Sequence, residues 1–177
     1  DRCLNNNWHN HKARALKAAI LRKLGRKDEA LALIEESLSF DLFNYGCRYE
    51  QYLLKGDAQL LDEMKQMMRR SADNYDEIAL DYCAAGLHEE ALDLWDIAIA
   101  EGATSPMTYY YMGRFEEAEQ ADSTYCFPNR AEAIIALEAA KQHNSKGSKA
   151  PYYLGCLYYA ARQYDLAIEN WELSARL

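Results

Sequence analysis

Three stretches of this chain, Lys12 to Asp41, Asp73 to Gly102 and Lys149 to the C-terminus, can be laid over one another without a gap. A chain that repeats itself at helical spacing has few ways to fold. Ala18, Leu21, Gly25, Ala30 and Ile34 of the first stretch fall at the offsets of Ala79, Tyr82, Gly86, Ala91 and Trp95 in the second. In the third stretch the same offsets hold Gly155, Tyr158, Arg162, Ala167 and Trp171. Each stretch reads as two helices. The small residues Ala18, Ala79 and Gly155 let one helix approach its partner closely, and Gly25 and Gly86 sit where the chain turns, in a position suited to a left-handed C-cap. Asp28 and Glu29, or Glu89 and Glu90, follow in the first turn of the second helix, where the helix dipole favours negative charge.

The intervals from Gly25 to Gly86 and from Gly86 to Arg162 are each close to two units long, so each gap is expected to hold one degenerate hairpin. In the first gap Tyr45, Tyr49 and Tyr52 recur at helical spacing up to Lys55, Gly56 and Asp57 supply a turn and a cap, and Leu60, Leu61, Met64, Met67 and Met68 form the next apolar face. In the second gap Met107 to Gln120 reads as mixed helix, with Gly113 fitting either a packing position or a turn. Pro128 reads as the first residue of a helix running to about His143, and segment 105–127 as irregular. The expected fold is all-α, a right-handed α-solenoid of about five hairpins, three clear and two degenerate. It forms one domain over 1–177, with repeats near 8–41, 42–71, 72–104, 105–146 and 148–177. Asp1 to Asn7 reads as the end of a preceding helix in a longer protein.

With these positions in place, the chain resembles the tetratricopeptide repeat family, whose unit is a helix-turn-helix of small, aromatic and alanine positions at fixed spacing. The nearest match is YYLGCLYYAARQYDLAIENW, in which Leu154, Gly155, Tyr158, Tyr164, Ala167 and Trp171 fill signature positions and Arg162 replaces the usual turn glycine. The resemblance implies that Tyr82, Tyr158 and Tyr164 are buried core rings. It also implies a concave groove lined by first helices that binds a protein or peptide segment, or another domain of a parent chain. Candidate groove residues are Lys12, Arg22, Asp76, Tyr152 and Tyr159. The terminal-carboxylate clamp of chaperone-tail-binding relatives is not matched here. A wider resemblance, carried by YCFPNRAEAIIALEAAKQH and APYYLGCLYY, is to the C-terminal repeat region of large bacterial proteins with a β-rich N-terminal domain. Some of those stand near carbohydrate use, so a spacer or dimerisation element of a carbohydrate-associated enzyme is the alternative reading. A homodimer through the apolar end near Leu173 and Leu177 belongs to it.

Composition narrows the classes further. A formal charge of −8 argues against non-specific nucleic-acid binding, and no apolar run approaches the roughly 20 residues of a bilayer span. Lys12, Arg14, Lys17, Arg22, Lys23, Arg26 and Lys27 stand together without an acid, which reads as a solvated face or a site for an acidic partner. Cys3, Cys47, Cys83, Cys126 and Cys156 are far apart, and read as small hydrophobes in a reducing, cytoplasmic setting.

No catalytic or cofactor motif stands out. His9 and His11 lack the i,i+4 spacing and companion ligands of a metal site. Glu35 and Glu36, Glu89 and Glu90, and Glu116 and Glu117 are neighbours that point about 100° apart on a helix and are expected on solvent faces. The expectation is a non-enzyme with no catalytic residue, metal or cofactor.

Overall fold

The computed structural model describes residues 1–124 and 126–177, and the described residues form helices and turns without a strand. Tyr125, part of the YCFPNR stretch, lies outside them. The chain divides into two compact units, Asp1–Ala103 and Thr104–Leu177.

The first unit is three hairpins preceded by a short helix, α1 (Arg2–Asn6). They are α2 (His11–Lys23) with α3 (Lys27–Phe40), α4 (Tyr45–Lys55) with α5 (Ala58–Met68), and α6 (Ala72–Ala84) with α7 (His88–Ala100). Within each pair the helices pack on one another, and α4 also packs on both α2 and α3. Ala15, Ala18, Leu21, Ala30, Leu33, Ile34 and Cys47 make one cluster, with Leu38 and Leu54 against it. No hairpin closes this cluster alone, since Cys47 comes from the next one.

The second unit holds α8 (Pro106–Tyr111), α9 (Phe115–Gln120), α10 (Ala131–His143), α11 (Lys149–Ala160) and α12 (Tyr164–Arg176). Here α8 pairs with α9, α11 with α12, and α10 packs on both α8 and α11. Its core is built from Met107, Tyr110, Ala118, Leu137, Tyr153, Leu154 and their neighbours.

Four of the turns share one geometry. The N–H groups of Arg26, Leu87, Arg114 and Gln163 donate to the carbonyls of Leu21, Tyr82, Tyr109 and Tyr158 at 2.9, 2.9, 2.8 and 2.8 Å, the six-to-one bond of a Schellman cap. The residue before each donor is left-handed: Gly25, Gly86 and Gly113 at φ 74°, 76° and 72°, and Arg162 at φ 60°. Gly113 is therefore a turn glycine, and Ala118 behind it occupies the fully buried alanine position of Ala30, Ala91 and Ala167. The second helix of that hairpin stops at Gln120, before an apolar residue can follow at the Ile34 offset, where Asp122 stands. Arg162 adopts the glycine conformation at a steric cost that its side chain imposes.

Two expectations are corrected. Helix α10 begins at Ala131, three residues after Pro128, with Arg130 as its N-cap. Tyr164 is exposed rather than buried, because as the first residue of α12 it stands at an offset that is exposed at Lys27 and His88 too, and its ring lies 5.6 Å from that of Tyr159.

Candidate functional site

Most members of the basic run from Lys12 to Lys27 find a carboxylate partner within the first unit. Arg14 is fully buried: its Nε donates to Ser37 Oγ at 2.7 Å, Nη1 to the Trp8 carbonyl at 3.1 Å and Nη2 to Glu36 Oε2 at 2.5 Å. The guanidinium lies over the rings of Trp8 and Phe40, 4.6 and 5.0 Å from their centroids. Lys12 pairs with Asp81, Lys17 with Asp1 and Arg26 with Glu29. Lys12, Lys23, Arg26 and Lys27 stay exposed, as a solvated face requires, whereas Arg14 and Arg22 are drawn into the packing of the unit.

Arg22 is the centre of the densest cluster. Its Nε and Nη2 donate to Glu50 Oε2 and Oε1 at 2.6 and 3.2 Å, and Nη2 also donates to Glu90 Oε1 at 2.9 Å. Lys23 Nζ meets the same Glu90 oxygen at 2.6 Å, and the Tyr82 hydroxyl donates to Glu50 Oε1 at 2.7 Å. One guanidinium thus ties α2 to α4 and α7, three segments of the chain brought together by stacking. Glu50 is fully buried and Glu90 nearly so, which corrects the expectation of a solvent face for Glu90, while Glu89 beside it is exposed. Burial pushes the Glu90 carboxyl up, yet Arg22 and Lys23 outweigh it and hold the group below the usual carboxylate range. Burial works against the charge of Arg22 too, and the hydrogen bonds it donates to Glu50 and Glu90 raise it above its ordinary value. Burial first, then the neighbouring carboxylates, push the hydroxyls of Tyr82 and Tyr49 upward. Tyr49 donates to Asp93 Oδ2 at 2.6 Å.

This chemistry is that of a lock. The Glu90 carboxylate, held ionised by Arg22 and Lys23, is a weak general acid, and the hydroxyls of Tyr49 and Tyr82 are held protonated. Burial also raises the Cys47 thiol to about 11, far from a working nucleophile. Among the described residues no cluster of His, Cys, Asp and Glu has the makings of a metal site, and no helix is long and apolar enough to cross a membrane. A depression of about 480 Å³ is lined by Asp62, Lys65, Gln66, Arg69, Arg70 and Glu101, residues of opposed charge.

The five candidate groove residues separate into two kinds. Arg22 and Asp76 are built into the first unit, Asp76 buried and accepting from Trp95 Nε1 at 3.0 Å. Lys12 is exposed but engaged by Asp81. Tyr152 and Tyr159 lie two turns apart on α11 and are 53% and 57% exposed. Tyr159 stands 5.6 Å from the ring of Tyr164 and 5.7 Å from that of Trp171, so the three form one aromatic surface. Gly155 lets Trp171 lie against α11, since a Cβ at that position would meet its indole at 2.3 Å. Tyr158, on the other side of α11, is half-buried and donates to Glu138 Oε1 at 3.1 Å.

Periodicity revealed the tyrosines but not the lock. Arg22, Glu50 and Glu90 belong to three different hairpins, and nothing in the spacing within one hairpin marks a charge pair between two. The one usable signal was the conjunction of many basic residues at one end with an otherwise acidic chain. No family model matches the chain, and no curated protein matches it. Among solved structures it is similar to YrrB, described as a TPR protein with an unusual peptide-binding site, at 16% identity and a TM-score of 0.35 over 98% of this chain and 89% of that one.

Proposed function

We propose that this chain is a non-catalytic scaffold that binds protein or peptide segments, and that the first-helix face of its last hairpin is the contact surface. The observation that carries the reading is the pair Tyr152 and Tyr159, large, exposed and two turns apart on a rigid helix. Tyrosine offers a broad amphipathic surface at small entropic cost, which is why it is enriched at binding surfaces. Helical hairpins provide the fixed scaffold that such a surface needs. An extended or helical segment lying along α11 would gain apolar contact from the two rings and hydrogen bonds to their hydroxyls.

The test is selection from a random peptide library displayed on phage, followed by calorimetric titration of the selected peptides. The wild-type chain is expected to yield peptides that bind saturably, and Tyr152→Ala with Tyr159→Ala to weaken them at least about tenfold, or 1.4 kcal/mol. Equal affinity in the double variant, with its helical circular dichroism intact, overturns the assignment of this face.

A further inference from the structure

The loop between α5 and α6 is the one place in the first unit where residues other than glycine hold the backbone in the left-handed region. Arg69 and Arg70 stand there in succession, at φ 53° and 54°. Gly25, Gly56, Gly86 and Gly102 take up that region elsewhere in the unit without a Cβ to crowd it. Glycine would serve this turn as well, so the two side chains are kept at a steric cost. Strain of this kind gathers where side chains clamp a ligand. Both arginines are exposed, and neither makes an ion pair among the described residues.

Both arginines also line the depression of about 480 Å³, with Asp62, Lys65, Gln66 and Glu101. Lys65 Nζ lies 3.7 Å from Asp62 Oδ1 and 3.3 Å from Glu101 Oε1, so one ammonium engages both acids of the lining. The two guanidiniums keep their charge and their donors for another group. Each presents a fork of N–H donors matched to a pair of oxygens, and neither loses its proton in the working pH range. One fork satisfies a carboxylate. Two forks suit a phosphoryl group, which offers three acceptor oxygens and up to about twice the charge. The geometry points to a phosphoryl-binding site in this depression, with Arg69 and Arg70 as its donors and Lys65 restraining the neighbouring acids. The volume leaves room for a small substituent on the phosphate. The site lies within the first unit and makes no use of Tyr152 or Tyr159, so it stands or falls separately from peptide capture by α11.

Calorimetric titration of the 177-residue chain with glycerol phosphate, and with a short peptide carrying one phosphoserine, tests this. Acetate and the unphosphorylated peptide are the controls. At least one phosphorylated probe should bind saturably and at least about tenfold more tightly than its control. Whichever probe binds more tightly identifies the source as a free phosphate ester or a modified segment. Replacing both arginines by glycine, Arg69→Gly with Arg70→Gly, should weaken that probe at least about tenfold while the melting temperature holds or rises, because the turn loses its strain. Arg69→Lys with Arg70→Lys keeps the charge but not the forks, and should also weaken it. Asp62→Asn, at an exposed position, should tighten it about two- to threefold by removing a repelling charge. No saturable binding at millimolar concentrations, controls that bind as well as the phosphorylated probes, undiminished affinity in the double glycine variant, or a lower melting temperature in that variant would each overturn the proposal.

Discussion

The first and last hairpins share a plan and put it to different uses. Both turn through a Schellman cap, both bury an alanine at the start of the second helix, and both hold a small residue where the helices cross. In the first, the offsets facing onward are Ala15 and Arg22, small or charged residues that α4 covers and Glu50 neutralises. In the last, they are Tyr152 and Tyr159, large and exposed. The difference teaches that an offset in a repeat fixes geometry only. Whether the residue there serves cohesion or contact depends on what comes next to it.

The largest expected effect is at Arg22. Its replacement by alanine leaves Glu50 and Glu90 as buried carboxylates without their main partner, and breaking such a buried pair costs about 3 kcal/mol or more. Urea unfolding of Arg22→Ala should show a loss of that size, and a loss under about 1 kcal/mol would mean that the cluster is decoration. Next comes the close approach of helices. Gly46→Ala forces a methyl against Ala15, two small groups on rigid helices, and should cost about 2 kcal/mol. Gly155→Ala meets first the half-buried Trp171 indole, a side chain that can swing outward, so the penalty should be nearer 1 kcal/mol and accompanied by a red shift in tryptophan fluorescence.

Arg162 gives the opposite sign. It adopts φ 60° where Gly25, Gly86 and Gly113 do the same without a Cβ. Arg162→Gly should therefore stabilise the last hairpin by a few tenths to about 1 kcal/mol, read as a higher melting temperature. No change there would show that the left-handed turn carries no strain.

The smallest effect is acid sensitivity. The Glu90 carboxyl is depressed in the folded chain, so its contribution is present above the unfolded value of about 4.3 and is lost as pH falls through the folded value. Hydrogen exchange between pH 5 and 3 should show α2, α4 and α7 loosening with falling pH, and Arg22→Ala should flatten that dependence.

Much of this architecture was legible in the residues, for a definite reason. Left-handed turns demand glycine and crossing helices demand small side chains, so Gly25, Gly86, Ala18 and Ala79 announce themselves. Gly113 was ambiguous because the short helix after it lacks the apolar residue that would have fixed the register. The roles of Arg22 and Glu90 were hidden, since a buried charge and a solvated one look alike until a partner from another hairpin arrives. Tyr164 misled because the resemblance marks its offset as core, whereas Lys27 and His88 at the same offset are exposed as well.

The most direct test pairs the two residues at the shared offset. Arg22→Ala and Tyr159→Ala are each measured for unfolding free energy and for affinity toward a library-selected peptide. The account predicts that Arg22→Ala loses stability and keeps its affinity per folded molecule, while Tyr159→Ala keeps stability to within about 1 kcal/mol and loses affinity. The reverse pattern, with Arg22 governing binding and Tyr159 governing stability, would contradict it.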